Sequence, residues 1–408
     1  MPSTLERPST TEDLAAFIKD SANNGKSLEV VGRASRRGFG RPTEIPHQLD
    51  LSRFDGIINY EPEELILTVK PGTRLFDLEQ TLVLHGQHLA FEPPDFGPLW
   101  GVPPHQGTIG GAIAMGLGGP RRLKVGAPRD HLLGLTAVAG TGTIFKAGGK
   151  VVKNVTGYDL PKLMCGSFGT LAVLTELTLK VLPRPATEHT LVVLNLNPAR
   201  AGALMTRALS EPWEITGAAY LPEQVSRTSQ VGEVSHSNRS ATVLRIEGVE
   251  LSIPAHCQKI SLQLAEFGPH LILDQQPSQL LWQEIRNATY FIADGTALWR
   301  LSVPPAQGYQ LLSSLNQNTM RYFMDWAGGL IWVSVPAIDD AASGLLRGAA
   351  QRLGGTATLL RAPPGIRQAI LPFQPPAAPL AALSRRVKAA FDPQGVLNPG
   401  RLTPSEQG

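Results

Sequence analysis

Cysteine is scarce in this chain of 408 residues, with Cys165 and Cys257 its only two. Two thiols cannot build a disulfide framework, and they cannot hold an iron–sulfur cluster, which takes four protein ligands, so any such cluster must come from a partner. Histidine is thin too: none of the nine falls at the spacing of a zinc helix and none follows His270, so no metal centre is expected. Charged residues make up 17% with a net charge of +3, too little imbalance for a dedicated polyanion binder, and no nucleic-acid partner is expected. The uncharged run from Phe96 to Pro120 is interrupted throughout by proline and glycine, which break a membrane-spanning helix, so no membrane span is expected. The N-terminal "MPSTLERPSTTEDLAAF" lacks the basic start and apolar core of a secretory signal, which makes a cytoplasmic location the expectation.

What is present is enough apolar material, 42% of residues, for two or three compact domains. Leu14, Phe17 and Ile18 recur at helical spacing after Thr10 or Thr11 as a cap, with Gly25 as a stop. "SLEVVG" reads as a strand and so does "ELILTVKPG", the latter followed by the helix "TRLFDLEQTLVLHG". "GGKVV" and "LAVLTELTLKVL" read as strands on either side of the long connection "KNVTGYDLPKLMCGSFGT". Beyond Pro185 the strand "TLVVLNLN", the helix "PARAGALMTRALSE" and the strands "TALWRLSV" and "GLIWVSV" suggest a second α+β domain. A proline-rich run then leads to the helix "LAALSRRVKAAF" and the tail "DPQGVLNPGRL". Boundaries are expected near 186 and 375.

Near-matches to two phosphate motifs fail on spacing. "NNGKS" resembles the end of a P-loop, but Asp20 stands where its first glycine should be. "GLGG" at 116–119 is followed by Pro120 and not by a helix, so a nicotinamide-binding fingerprint is not expected. Two glycine clusters remain, Gly32 to Gly40 and Gly107 to Gly119, each after extended material. Glycine lets a backbone turn sharply and bring amides against an anion, and Ser35 and Thr108 add hydroxyl donors. Arg33, Arg36, Arg37 and Arg41 put more positive charge on the first cluster than a turn requires. Together they point to a phosphate-bearing cofactor.

The segments "GRASRRGFG", "PGTRLFDLEQTLVLHGQHLAFEPP", "GTIGGAIAMGLGGPRR", "KNVTGYDLPKLMCGSFGTLAVLTELTLKVLPRP" and "FDPQGVLNPGRL" resemble the FAD-binding E subunit of glycolate oxidase (glycolate dehydrogenase), within the vanillyl-alcohol-oxidase-type flavoproteins. "GTALWRLSVP" and "DWAGGLIW" extend the resemblance over essentially the whole chain. It implies an α+β fold: a PCMH-type FAD-binding domain of two α+β subdomains over 1–185, an α+β cap over 186–375, and a C-terminal helix and tail, 376–408, returning to the FAD domain. It also implies non-covalent FAD. The diphosphate would lie between Gly32, Arg33, Ala34, Ser35 and Arg36 on one side and Gly107, Thr108, Ile109, Gly110 and Gly111 on the other. A third segment, with Gly157, Tyr158, Asp159, Gly166, Gly169, Val173 and Leu174, would approach the adenine and ribityl portions, and Gly116 and Asp130 complete the set.

This chain departs from the wider family in having Ala34 and Ala172 where glycine is usual. His105 is the only residue near the second loop capable of covalent flavin attachment. The histidine-rich segment that supplies acid/base chemistry in related 2-hydroxy-acid dehydrogenases is missing, so no catalytic residue is assigned; Arg300 and Arg321 are the candidates for holding a carboxylate. The resemblance implies a D-type flavoprotein subunit and an F-type iron–sulfur subunit as partners, with any membrane attachment peripheral and through the complex. Two other functions stay open: a redox-inert structural subunit of the same complex, and a stand-alone FAD oxidase of another small hydroxylated substrate. Lys153 and Asn154 have no assigned role.

Overall fold

A computed structural model describes residues 4–149, 157–292, 295–315 and 319–403. The chain forms two compact units, Met1–Gly118 with Ala127–Arg184 and Pro375–Gly408, and Gly119–Gly126 with Pro185–Gln374. The sequence reading did not foresee that the short segment Gly119–Gly126, part of "GLGGPRRLKVG", groups with the second unit.

In the first unit, β1 (Thr4–Glu6), β2 (Leu28–Val31) and β3 (His47–Asp50) make a parallel sheet ordered β1-β3-β2. Its core is closed by helix Thr11–Asn23, which starts where the Thr10 hydroxyl accepts from the Asp13 amide and buries Leu14 and Ile18 completely. Each such side chain stabilises the fold by about 1.5–3 kcal/mol. β4 (Ile57–Glu61), β5 (Ile66–Val69), β7 (Leu132–Ala139), β8 (Ile144–Gly148) and β9 (Ala172–Lys180) form an antiparallel sheet ordered β4-β5-β9-β7-β8, while β6 (Gln87–His88) and β10 (Leu182–Pro183) pair separately. In β9 the alternation of leucines puts Leu177 and Leu179 into the core between its two neighbours. The expected strand "GGKVV" falls partly outside the described residues, as do Lys153 and Asn154; the strand seen there is β8.

The C-terminal helix, Ala378–Phe391, and the tail belong to the first unit. Leu397 bridges Leu28 in parallel, Leu28 donates to Val396 O, and Asn398 returns a bond to Leu28 O. The turn is made by Asp392: its carboxylate, with a fully buried side chain, accepts from the amides of Val396 (2.9 Å) and Leu397 (2.8 Å) and from Lys388 Nζ.

The second unit is an eight-stranded antiparallel sheet of β11 (Thr187–Leu194), β12 (Ile215–Leu221), β13 (Ala241–Gly248), β14 (His270–Leu273), β15 (Ala297–Ser302), β16 (Arg321–Asp325), β17 (Leu330–Val335) and β18 (Thr356–Arg361), ordered β14-β11-β13-β12-β16-β17-β15-β18. Helices Pro198–Ser210, Ile253–Gln263 and Ser343–Arg352 contribute Leu204, Ile260 and Leu346 to one core with Trp299, Leu301, Ile331 and Val333 of the sheet. Among the described residues no helix is long and apolar enough to cross a membrane.

Removing the Asp392 carboxylate strands two buried amides and takes away the counter-charge of Lys388, which keeps only the carbonyls of Thr170 and Leu397, so Asp392→Ala is expected to cost about 3 kcal/mol. A melting curve checks this; an unchanged midpoint would show that the tail is held by other means.

Candidate functional site

β2 ends at Val31 and delivers the chain into the first glycine cluster, which approaches the second most closely at Gly32. A Cβ on Gly32 would lie 2.9 Å from Thr108 Oγ1, so the two loops approach as closely as they do because residue 32 has no side chain. The second loop is held by its own backbone. Gly107 O accepts from Leu75, and the amides of Ile109 and Gly110 donate to Thr73 O and Pro71 O at 3.0 and 2.8 Å. Thr108 caps helix Ile109–Met115 by accepting from the Gly111 amide at 3.2 Å. The amides of residues 109–111 are therefore engaged within the protein, unlike the free anion cradle expected from the glycine pattern. Gly110 is required by packing: a Cβ there would sit 2.5 Å from Pro71 Cβ and 2.7 Å from its carbonyl.

The first loop is the reverse case. Among the described residues no acceptor faces the amides of Gly32, Arg33, Ala34, Ser35 or Arg36, and Ala34 sits at φ 56°, the left-handed conformation that turns successive amides toward one concavity. Its arginines divide. Arg37 gives a bidentate pair to Glu29 (2.9 and 2.6 Å), whose carboxylate also faces Arg401 at 3.6 Å, so Arg37 serves the fold. Arg33 lies 3.6 Å from Asp55. Arg36 is buried, donates Nη2 to Pro94 O at 2.7 Å, and leaves Nε and Nη1 without a partner. Burial lowers its pKa to about 10, against the opposing pull of Asp95, so the group remains a cation at neutral pH.

These groups line a cleft enclosing about 830 Å³, including its part open to solvent. Of the residues expected from sequence, Gly32, Arg33, Ala34, Ser35, Arg36, Thr108, Gly110, Gly111, Gly169, Val173 and Leu174 line it. The others do not. Gly107 and Ile109 support the second loop from behind. A Cβ on Gly116 would lie 3.2 Å from Gly166 Cα, so Gly116 lets the end of helix Ile109–Met115 and the segment after Met164 touch, while Gly166 takes φ 86°. Asp130 accepts from the Ala127 amide and Asp159 caps helix Leu160–Met164, both of them local roles. Gly157 takes φ 80° and Tyr158 is 90% exposed. His105 is exposed, held at φ 66° with its amide on Asp95, and is not part of the lining.

Sequence reasoning missed Pro71, Ala114, Met115, Phe168, Asn398 and Arg401, all of which line the cleft. Asn398 connects three segments, accepting from the Val30 amide at 2.8 Å and donating to Phe168 O at 2.9 Å. Its place in "LNPGR" was the available signal. Cys165 is buried, which pushes its thiol up to about 11, consistent with a packing residue. Arg321 donates to Tyr290 O and stacks over Phe291, while Arg300 lies in the second unit.

Residues 2–148 match the family model described as an FAD binding domain. The chain is 33% identical to glycolate oxidase subunit GlcE of Escherichia coli (strain K12), over 96% of this chain and 97% of that protein. It is 26% identical to glycolate oxidase subunit GlcD of Bacillus subtilis (strain 168), over 98% and 89%. Among solved structures, p-cresol methylhydroxylase with substrate bound aligns over 99% of this chain and 89% of its own, with a TM-score of 0.73 and 14% identity, which shows a shared fold. The cleft fits FAD on chemical grounds: a diphosphate meets the unpartnered nitrogens of Arg36 and the unengaged amides of residues 32–36, while Ala172, Val173 and Leu174 offer an apolar wall.

Two substitutions separate packing from binding. Gly110→Ala is expected to destabilise the chain by about 1–3 kcal/mol by forcing Pro71 away. Gly111→Ala, whose Cβ would reach 3.3 Å from Thr108 Oγ1 and 3.4 Å from Arg36 Nη1, close but tolerable contacts, is expected to leave the melting temperature nearly unchanged and lower flavin content. Ala34→Gly is expected to stabilise the apoprotein by about 1 kcal/mol, by relieving a left-handed alanine; a calorimetric scan reads it, and a lower midpoint would count against the strain.

Proposed function

The chain belongs to the glycolate oxidase E-subunit family of FAD-binding oxidoreductases, and we propose that it is the flavin-binding subunit of a complex that oxidises glycolate to glyoxylate and passes the electrons to an iron–sulfur partner. The observation that carries the reading is Arg36, a buried cation with two unpartnered nitrogens beside five unengaged amides, in a cleft lined by both glycine loops.

In this assignment Arg36 and the amides of Gly32 to Arg36 hold the diphosphate, and Thr108 and Gly111 form the opposite wall. Val173 and Leu174, at the start of β9, exclude water from the apolar side. Bound FAD supplies the acceptor for the hydride that a CH–OH group loses on oxidation. Arg36 acts before any chemistry, because a guanidinium fixed by Pro94 O needs no rearrangement to meet an anion. The two cysteines are buried and their thiols pushed up to about 11 by that burial, which supports an F-type partner as the home of the cluster; a D-type flavoprotein as the other subunit and a cytoplasmic setting are part of the same proposal and rest on the family resemblance.

A second reading, a redox-inert scaffold that holds flavin without using it, is favoured by one observation: among the described residues no His, Asp, Glu, Lys or Tyr lines the cleft, so none of them offers a proton acceptor for a hydroxyl there.

Reconstitution with FAD followed by an absorbance spectrum tests cofactor binding. Arg36→Met is expected to weaken FAD by about 2–3 kcal/mol, roughly 30- to 150-fold, through loss of charge-assisted bonds; equal affinity would remove Arg36 from the site. Within the purified complex, glycolate-dependent acceptor reduction is expected to vanish when this chain carries no FAD, and activity that survives would favour the scaffold.

A further inference from the structure

The segment "GGPRR" and the strand "TALWRLSV" meet in the second unit, and neither is accounted for by the cofactor cleft. Arg121 is explained by a buried bidentate pair with Glu247. Arg122, exposed, stands over the indole of Trp326 with its guanidinium carbon 4.6 Å from the ring centroid, and Arg300 of β15 stands 5.0 Å from the same ring.

The strand register fixes the surroundings of Arg300. On β15, Trp299 and Leu301 point into the helix-covered core, so Arg300 and Ser302 belong to the opposite face. There Arg300 lies across from Trp332 on β17 and Thr358 on β18, and the next row runs from Ser302 through Leu330 to Asp325. Arg300 is partly buried, and among the described residues its guanidinium has no hydrogen-bond acceptor. The other arginines of this face are engaged: Arg245 donates to Thr216 and Arg321 to Tyr290 O. Burial and the neighbouring Arg122 lower the pKa of Arg300 to about 10, with Asp325 pulling the other way; the group stays cationic at neutral pH.

The ring between the two arginines is held in place at a conformational cost. Trp326 and Ala327 both have φ 53°, followed by Gly328 at 95°. This run of left-handed residues persists because Asp325 Oδ1 accepts from the Trp326 amide at 2.7 Å, Trp326 Nε1 donates to Gly119 O at 3.0 Å, and Gly308 has no Cβ to strike Gly328 O. The result is a rigid aromatic wall beside a cation that has no acceptor.

We propose that Arg300, with the Trp326 indole as its wall and the Ser302 and Thr358 hydroxyls beside it, forms a binding site for the carboxylate of a small 2-hydroxy or 2-oxo acid. The choice of acid rests on the function proposed above; the need for an anion rests on Arg300. A guanidinium matches a carboxylate through parallel N–H donors, and a planar wall suits a planar group.

Isothermal titration calorimetry on the full chain, with and without FAD, tests this using glycolate, neutral ethylene glycol and inorganic phosphate. Glycolate is expected to bind and ethylene glycol not to. Arg300→Met is expected to weaken glycolate at least tenfold, with FAD content and melting temperature unchanged, and Arg300→Lys to recover part of the loss. Glycolate is expected to change tryptophan fluorescence in the parent chain, and that change should disappear in Trp326→Phe. The site is overturned if the FAD-loaded chain binds no glycolate, if FAD-loaded Arg300→Met binds it equally well, or if the FAD-loaded chain binds phosphate as tightly as glycolate. A chain that retains FAD but fails these titrations refutes the carboxylate site alone. A chain that binds glycolate through Arg300 but takes up no FAD refutes the flavin function and leaves this site standing.

Discussion

A buried guanidinium that lacks acceptors is unstable unless something outside the fold completes it, and the first unit is organised around one. Arg36 is fixed at one nitrogen by Pro94 O and open at two others. Leaving a charged donor unsatisfied costs more than an ordinary lost hydrogen bond, on the order of a few kcal/mol, so the arrangement is worth keeping only for a ligand that supplies negative charge. Its neighbour Arg37, one residue along the same loop, shows what completion within the protein looks like: Glu29 takes it in a bidentate pair, and Arg401 from the tail approaches the same carboxylate. Adjacent residues of one type thus divide between holding the loop to the tail and facing the cleft. The glycines follow the same division, Gly110 permitting contact with Pro71 and Gly111 leaving room beside Arg36.

Much of the secondary structure was legible because its signals are local. Thr10 caps the first helix, the leucines of β9 alternate, and the proline-rich run ends in the expected helix. The two loops were legible as a pair from glycine and arginine content. Their roles were not, because a glycine that admits a ligand and a glycine that admits Pro71 leave the same trace in a sequence. Gly116 and Gly166 illustrate this: Gly116 is a close-approach position, but what approaches it is the backbone of Gly166, which is itself glycine because its φ is 86°. Asn398 and Arg401 were missed for a related reason. They reach the cleft only once the tail has paired with β2, a contact between residues more than three hundred positions apart, and no periodicity records it. The grouping of Gly119–Gly126 with the second unit likewise depends on the Arg121–Glu247 pair and on Trp326 donating to Gly119 O.

Among the described residues, a left-handed side-chain-bearing residue and a cation open to a ligand stand together in each unit. Ala34 is left-handed two residues before Arg36, and Trp326 and Ala327 are left-handed beside Arg300. A side-chain-bearing residue in that region costs about 1–2 kcal/mol, and glycine at 34 would remove most of it. Both sites therefore accept a backbone cost that an ordinary turn would avoid. The physical return differs between them. At Ala34 the left-handed residue reverses the chain so that consecutive amides converge, which a right-handed or extended residue cannot do. At Trp326 it swings a large ring against two guanidinium groups and lets the indole N–H find Gly119 O. In each case the cation is held before any ligand arrives, so the ordering cost is met during folding and binding need not bear it. That is the arrangement expected of a protein that must hold one anion as a resident group and meet another as a transient one.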